Sequence, residues 1–263
     1  MLRNVAIIFL AFAGYFFLLK PQFAPIYRSA IEIIQSPSLS YIITYIIVGI
    51  PMVLAMLLLH KPHNYLEELG MRKQFGRPLI FALLCTLPMF IGYGILSGFE
   101  VSISKNTMVR GVLCAALFEE LYFRGFLFGQ LFRKARLGFF PAAMTGALFF
   151  GAAHIYQGNS PLDSLGVFAI TFMGAGFFAW AYVEWKYNLW IPIFLHLFMN
   201  LSWTMFTIGD NAMGGLWANI FRAITIALVI IGTIRYKRRN QIPMVITRDN
   251  LIKQSSDILP PKD

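Results

Sequence analysis

Charge is scarce in this sequence: Asp, Glu, Lys and Arg make up 13% of its residues while 58% are hydrophobic, at a mean hydropathy of +0.65. That shortage excludes an ordinary soluble globular domain. Acidic residues are scarcer still, 12 against 22 Lys and Arg, leaving a formal net charge of +10. The excess falls in short stretches beside apolar runs, so it reads as membrane topology and contact with anionic lipid, and no nucleic-acid partner is expected. Cysteine is nearly absent. Cys85 and Cys114 both lie inside apolar runs, where a thiol is a small apolar filler and says nothing about redox compartment. No internal repeat and no low-complexity block is visible.

What the chain does have is length of apolar sequence. A membrane span needs roughly 20 apolar residues, about 17 to 25, and the chain offers eight candidates, the first and last of them short: 5–19, 41–59, 78–97, 112–132, 138–156, 165–183, 189–208 and 220–234. The fold class expected is all-α, a polytopic membrane protein with about eight transmembrane helices in a lipid bilayer. The loops support that count. Taken alternately, one set holds Arg3, then Lys61, Arg72, Lys73 and Arg77, then Arg133, Lys134 and Arg136, then Lys186, then Arg235, Lys237, Arg238 and Arg239. The other set holds Lys20, Arg28, Lys105 and Arg110. Cytoplasmic loops are the Lys- and Arg-rich ones, which puts both termini in the cytoplasm.

Arg3 followed by an apolar run resembles a signal peptide, but the run continues past Ala13 to Leu19, so an uncleaved first helix is expected. Residues 1–234 read as one transmembrane helical domain with a catalytic core at about 112–203. Residues 235–263, basic and then polar with Pro243, Pro260 and Pro261, read as a disordered cytoplasmic tail.

The fourth run carries Glu119 and Glu120, with Arg124 one turn on. Charge at that depth has to be offset or used. Successive helical residues point in different directions, whereas residues four apart share a face, so Glu120 pairs with Arg124 and Glu119 is left without a local partner. A lone carboxylate suits an exchange of protons with water. On the fifth run Ala143, Ala147 and Gly151 recur every four residues, a spacing that lets helices approach closely, and His154 lies one residue off that face. His196 and Asn200 share a face of the seventh run. One imidazole beside Glu119 and a His–Asn pair donating to an oxyanion are the ingredients of a hydrolase. Taken singly, each has a bland reading: His154 or His196 as a bridge between helices, Glu120 with Arg124 as a structural pair, and Arg222 snorkelling to the interface.

The strings Glu119-Glu120-Leu121-Tyr122-Phe123-Arg124, Phe150-Gly151-Ala152-Ala153-His154 and His196-Leu197-Phe198-Met199-Asn200 resemble the EExxxR, FxxxH and HxxxN motifs of the CAAX protease and bacteriocin-processing enzyme family. This family, also called Abi, includes the type II CAAX prenyl endopeptidase. The resemblance covers about residues 112–203. It implies that Glu119 activates water with the help of His154, that His196 and Asn200 form the oxyanion site, and that Glu120 and Arg124 support the first glutamate. It also implies a membrane-associated or lipidated peptide as substrate. No cofactor is expected. Zinc is the alternative, held by two Glu and two His, but Asn is a poor zinc ligand and a good oxyanion donor.

Other intramembrane protease plans are missing their signatures. HExxH is absent; GxGD fails because Thr207 precedes Ile208-Gly209-Asp210; GxSG fails because Ile95 precedes Leu96-Ser97-Gly98. Two other function classes compete with a glutamate-type peptidase of the bacterial plasma membrane. One is a non-proteolytic immunity or signalling partner, the other a proton-coupled transporter. Helical arithmetic poses one problem. At 1.5 Å per residue His154 lies within about 6 Å of the outer end of its helix, and straight upright helices would set it more than about 10 Å from His196 in depth. Tilting, a kink near Pro192 or shifted boundaries would be needed to bring them together.

Overall fold

The computed structural model describes residues 1–254. Among them the only strand-like feature is an isolated bridge between Leu137 and Lys253, so the chain is all-α as expected. The first helix, α1, is a rod from Leu2 to Ile34. It is followed by α2 (Pro37–Val48) and α3 (Ile50–Leu59), then α4 (Gly76–Leu96) and α5 (Met108–Phe128, extended by Gln130–Lys134). The remainder are α6 (Phe139–Ala152), α7 (Pro161–Glu184), α8 (Trp190–Met205) and α9 (Leu216–Arg239).

Local sequence accounts for several boundaries. Pro37 and Pro161 open α2 and α7 in the first turn, where no amide is required of them. Ser160 caps α7, its hydroxyl accepting from the Asp163 amide at 3.1 Å. Pro51 behind Gly49 separates α2 from α3, which meet at a bend of 46°.

Five helices are long and apolar enough to cross a membrane: α1, α4, α6 with its following turn to Gln157, α7 and α9; the bent pair α2–α3 makes a sixth. The chain is an integral, multi-pass membrane protein. The fourth and seventh runs of the expected eight are helical but differ in kind. Helix α8 is only 16 residues long, and α5 carries Arg110, Glu119, Glu120 and Arg124.

Helix α5 is π-wound and runs through the middle of the bundle. Every residue from Tyr122 to Phe132 is buried, whereas Met108, Gly111 and Leu113 near its start are exposed. Its inner half anchors the main core, in which Phe126, Leu127, Phe128, Leu131 and Phe132 pack with Phe139, Ala142, Tyr182 and Leu189.

The tail departs from expectation. Residues up to Arg239 extend α9, and residues 240–254 fold back on the bundle because Glu184 holds them. Its buried carboxylate accepts from the Val245 and Ile246 amides, both at 3.0 Å, and from the Lys237 ammonium. The Phe140 and Gly138 amides then donate to the Leu251 and Ile252 carbonyls. A polar composition suggested disorder, but a buried carboxylate in the body of the protein gives the segment's amides a partner. The rest of the expected tail, 255–263, lies outside the described residues.

Candidate active site

Two adjacent glutamates on α5 organise the polar side chains. Glu119 Oε2 lies 3.9 Å from His154 Nε2, and the two side chains are 21% and 17% exposed. His154 sits just beyond the last turn of α6. Its Nδ1 is 2.7 Å from the Phe150 carbonyl one turn back. A carbonyl only accepts, so Nδ1 carries a hydrogen, and in the neutral ring the Nε2 lone pair faces Glu119.

Glu120 is fully buried. Its Oε1 accepts from Arg124 Nη1 at 3.0 Å and pairs with His196 Nδ1 at 2.7 Å. The Glu120–Arg124 pair is the one read from the four-residue spacing, and π winding does not separate it. The His196 contact is additional: the sequence had associated that ring with Asn200 on its own helix. Asn200 instead turns its Nδ2 to the Gly111 carbonyl, 3.3 Å away near the start of α5.

Aromatic rings complete the arrangement. The Arg124 guanidinium lies over Phe150 (4.4 Å to the ring centroid) and Phe178 (5.2 Å). Phe150 in turn packs on His154 (4.4 Å) and Phe178 on His196 (5.8 Å). Arg124 thus stands between the two supports of the two imidazoles. Guanidinium on ring face is favourable, more so where water is excluded. Nothing in spacing alone pointed to Phe178. Phe150 was visible only as the first letter of FxxxH.

His154 lies just beyond the end of α6, and Pro192, the candidate position for a kink, occupies the first turn of α8. Helix α5 starts at Met108, preceded by a short turn from Lys105, and its π winding shortens the rise to Glu119. Lys20 and His196 also lie within electrostatic reach of His154.

The four acidic and imidazole groups form two pairs, Glu119–His154 and Glu120–His196, and Glu120 Oε1 is shared with Arg124. Among the described residues no three His, Cys, Asp or Glu side chains are grouped as a metal site requires.

Comparison with known proteins gives two matches. Residues 104–202 match the family model described as type II CAAX prenyl endopeptidase Rce1-like. The chain is also 36% identical over 84 residues to "Putative membrane peptidase YdiL" of Bacillus subtilis (strain 168), a match covering 32% of this chain and 30% of that protein. The chain therefore spans about a third of the curated relative it matches. No solved structure matches it.

Proposed function

From the match of residues 104–202 to the type II CAAX prenyl endopeptidase Rce1-like family model we propose that this chain is a glutamate-type intramembrane endopeptidase. It hydrolyses a peptide bond in a membrane-associated peptide, in a bacterial plasma membrane. The observation that carries this reading is the Glu119–His154 pair. At 3.9 Å the two groups are too far apart for a direct hydrogen bond and suitably spaced to share one water.

In the proposed reaction Glu119 takes a proton from that water as its oxygen attacks the scissile carbonyl carbon, and His154 Nε2 orients it. The carbonyl oxygen becomes an oxyanion. Asn200 has a second Nδ2 hydrogen beyond the one given to Gly111 and donates it there. A His196 ring protonated on both nitrogens keeps its Nδ1 hydrogen on Glu120 and gives its Nε2 hydrogen to the oxyanion, with the Glu120 carboxylate as its counter-charge. Collapse breaks the C–N bond, and the proton held by Glu119 passes to the leaving amine. No acyl-enzyme forms. The Glu119–His154 pair supports a carboxylate-activated water as the nucleophile.

Glu119→Gln tests the reading. The variant is nearly isosteric and Glu119 is not part of the buried ion pair, so it unfolds in detergent at the wild-type temperature while cleavage of peptide substrates is abolished. Wild-type activity is unchanged by a chelator. Retained cleavage in the variant would remove Glu119 from the chemistry. A function that survives the substitution without any cleavage would favour the immunity or signalling-partner reading.

A further inference from the structure

Three parts of the chain that are distant in sequence meet around one polar cavity, well away from the glutamates: the start of α1, the loop from α5 to α6, and the returning segment 240–254. The cavity has a volume of about 720 Å³, and Asn4, Lys134, Arg136, Asp249, Lys253 and Gln254 contribute its polar lining. Backbone contacts fix its walls. The Asn4 side-chain amide donates to the Lys134 carbonyl at 3.3 Å and that of Gln254 to the Phe132 carbonyl at 2.8 Å. Leu137 bridges Lys253, and a Cβ at Gly138 would meet the Ile252 carbonyl carbon at 2.0 Å, so loop and segment are in direct backbone contact.

Three cations line this space against one carboxylate, Asp249. Its charge therefore favours an anion. Its place in the fold says which kind. Helices α1 and α6, which begin beside the cavity, are both long and apolar enough to span a membrane. From the cavity onward they present exposed apolar side chains: Leu2 and Leu10 on α1, and Phe140, Met144 and Leu148 at four-residue intervals on α6. At 1.5 Å per residue that α6 stripe is about 12 Å long. Further along, Phe12 of α1 packs on Phe149 of α6 with ring centroids 5.3 Å apart, so the two helices are neighbours. A basic cavity where neighbouring spans begin, continuing into an apolar surface, matches a molecule with an anionic head and long apolar chains.

We propose that this cavity binds one anionic phospholipid, its phosphate held by Lys134, Arg136 and Lys253 and its acyl chains lying along the exposed side chains of α1 and α6. The bound headgroup joins the α5–α6 loop to the returning segment, so the lipid stabilises the folded chain by mass action. A zwitterionic lipid brings an ammonium into a space that already has an excess of positive charge. The site is independent of the proteolytic reading.

Dioleoylphosphatidylglycerol, titrated into the delipidated full chain in a neutral detergent, tests this. It raises the unfolding temperature saturably, native mass spectrometry detects one retained lipid, and dioleoylphosphatidylcholine does neither at the same concentration. Arg136→Gln with Lys253→Gln removes two exposed cations of the cavity and weakens the apparent affinity by about 30-fold, roughly fivefold for each cation. Lys61→Gln with Arg72→Gln removes the same charge at exposed positions outside the cavity and leaves the affinity unchanged. Equal weakening in both double variants means diffuse charge attraction and overturns the site, as does unchanged affinity in the cavity variant. Phosphatidylcholine acting as well as phosphatidylglycerol overturns the anionic headgroup. Glycerol phosphate stabilising the chain as much as the lipid overturns the role of the acyl chains.

Discussion

Glu120 and Arg124, 0% and 2% exposed, show how one ion pair supports two different imidazoles. Glu120 holds His196 directly, and Arg124 backs the two rings, Phe150 and Phe178, against which His154 and His196 rest. Bonding is incomplete: Glu120 Oε2 and Arg124 Nη2 have no hydrogen-bond partner among the described residues, so the pair carries a desolvation cost. Breaking a buried pair leaves an uncompensated charge, whereas replacing both members by apolar groups does not. Glu120→Ala alone is therefore expected to destabilise the protein by about 3–5 kcal/mol. The double variant Glu120→Leu with Arg124→Met should unfold close to the wild-type temperature in detergent and still fail to cleave peptide, because His196 has lost its acceptor. Recovery of cleavage along with stability would reduce the pair to scaffolding.

Helix α6 delivers His154, and its approach to α7 sets where that ring sits. A Cβ at Gly151 would meet the Phe168 ring of α7 at 2.8 Å and the Phe168 carbonyl at 3.2 Å, so the side chain is absent because the backbones need the space. Gly151→Leu should push α6 outward, cost about 1–3 kcal/mol through overpacking, and lower kcat more than stability explains, since His154 lies only three residues on. An intact rate in a folded Gly151→Leu protein would show that the pairing with Glu119 tolerates the shift. The small-residue face of α6 was legible in sequence, as were the Glu120–Arg124 partnership and most helix boundaries, because each follows from local spacing or hydropathy. The contact between His196 and Glu120 was not. It joins residues 76 apart on two helices, and periodicity within a helix says nothing about which neighbour its polar face meets. The π winding of α5 was equally hidden, since apolar periodicity was read with an α-helical rule.

At the scale of the whole molecule, residues 240–254 return to the bundle and fasten one of its ends. That end is fastened by packed rings, Phe128 on Phe132 and Phe139, and by residues 240–254: Glu184 accepts from the Val245 and Ile246 amides, and Gln254 donates to the Phe132 carbonyl at 2.8 Å. Composition marked this segment as a loose tail because it has few apolar residues; what holds it is a carboxylate that is itself 1% exposed. Removing residues 240–263 leaves Glu184 with Lys237 alone, and each buried polar group left unpaired costs about 1–3 kcal/mol. The truncated chain should therefore unfold at a lower temperature in detergent. Its cleavage rate per folded molecule should stay at the wild-type level, because the contacts that join Glu119 to His154, Glu120 to His196 and Asn200 to Gly111 involve no residue of 240–254. Thermal unfolding and active-fraction measurements on the same preparation separate the two effects. A truncated protein that remains folded but cleaves slowly would mean that the segment held by Glu184 contributes to the site as well as to stability.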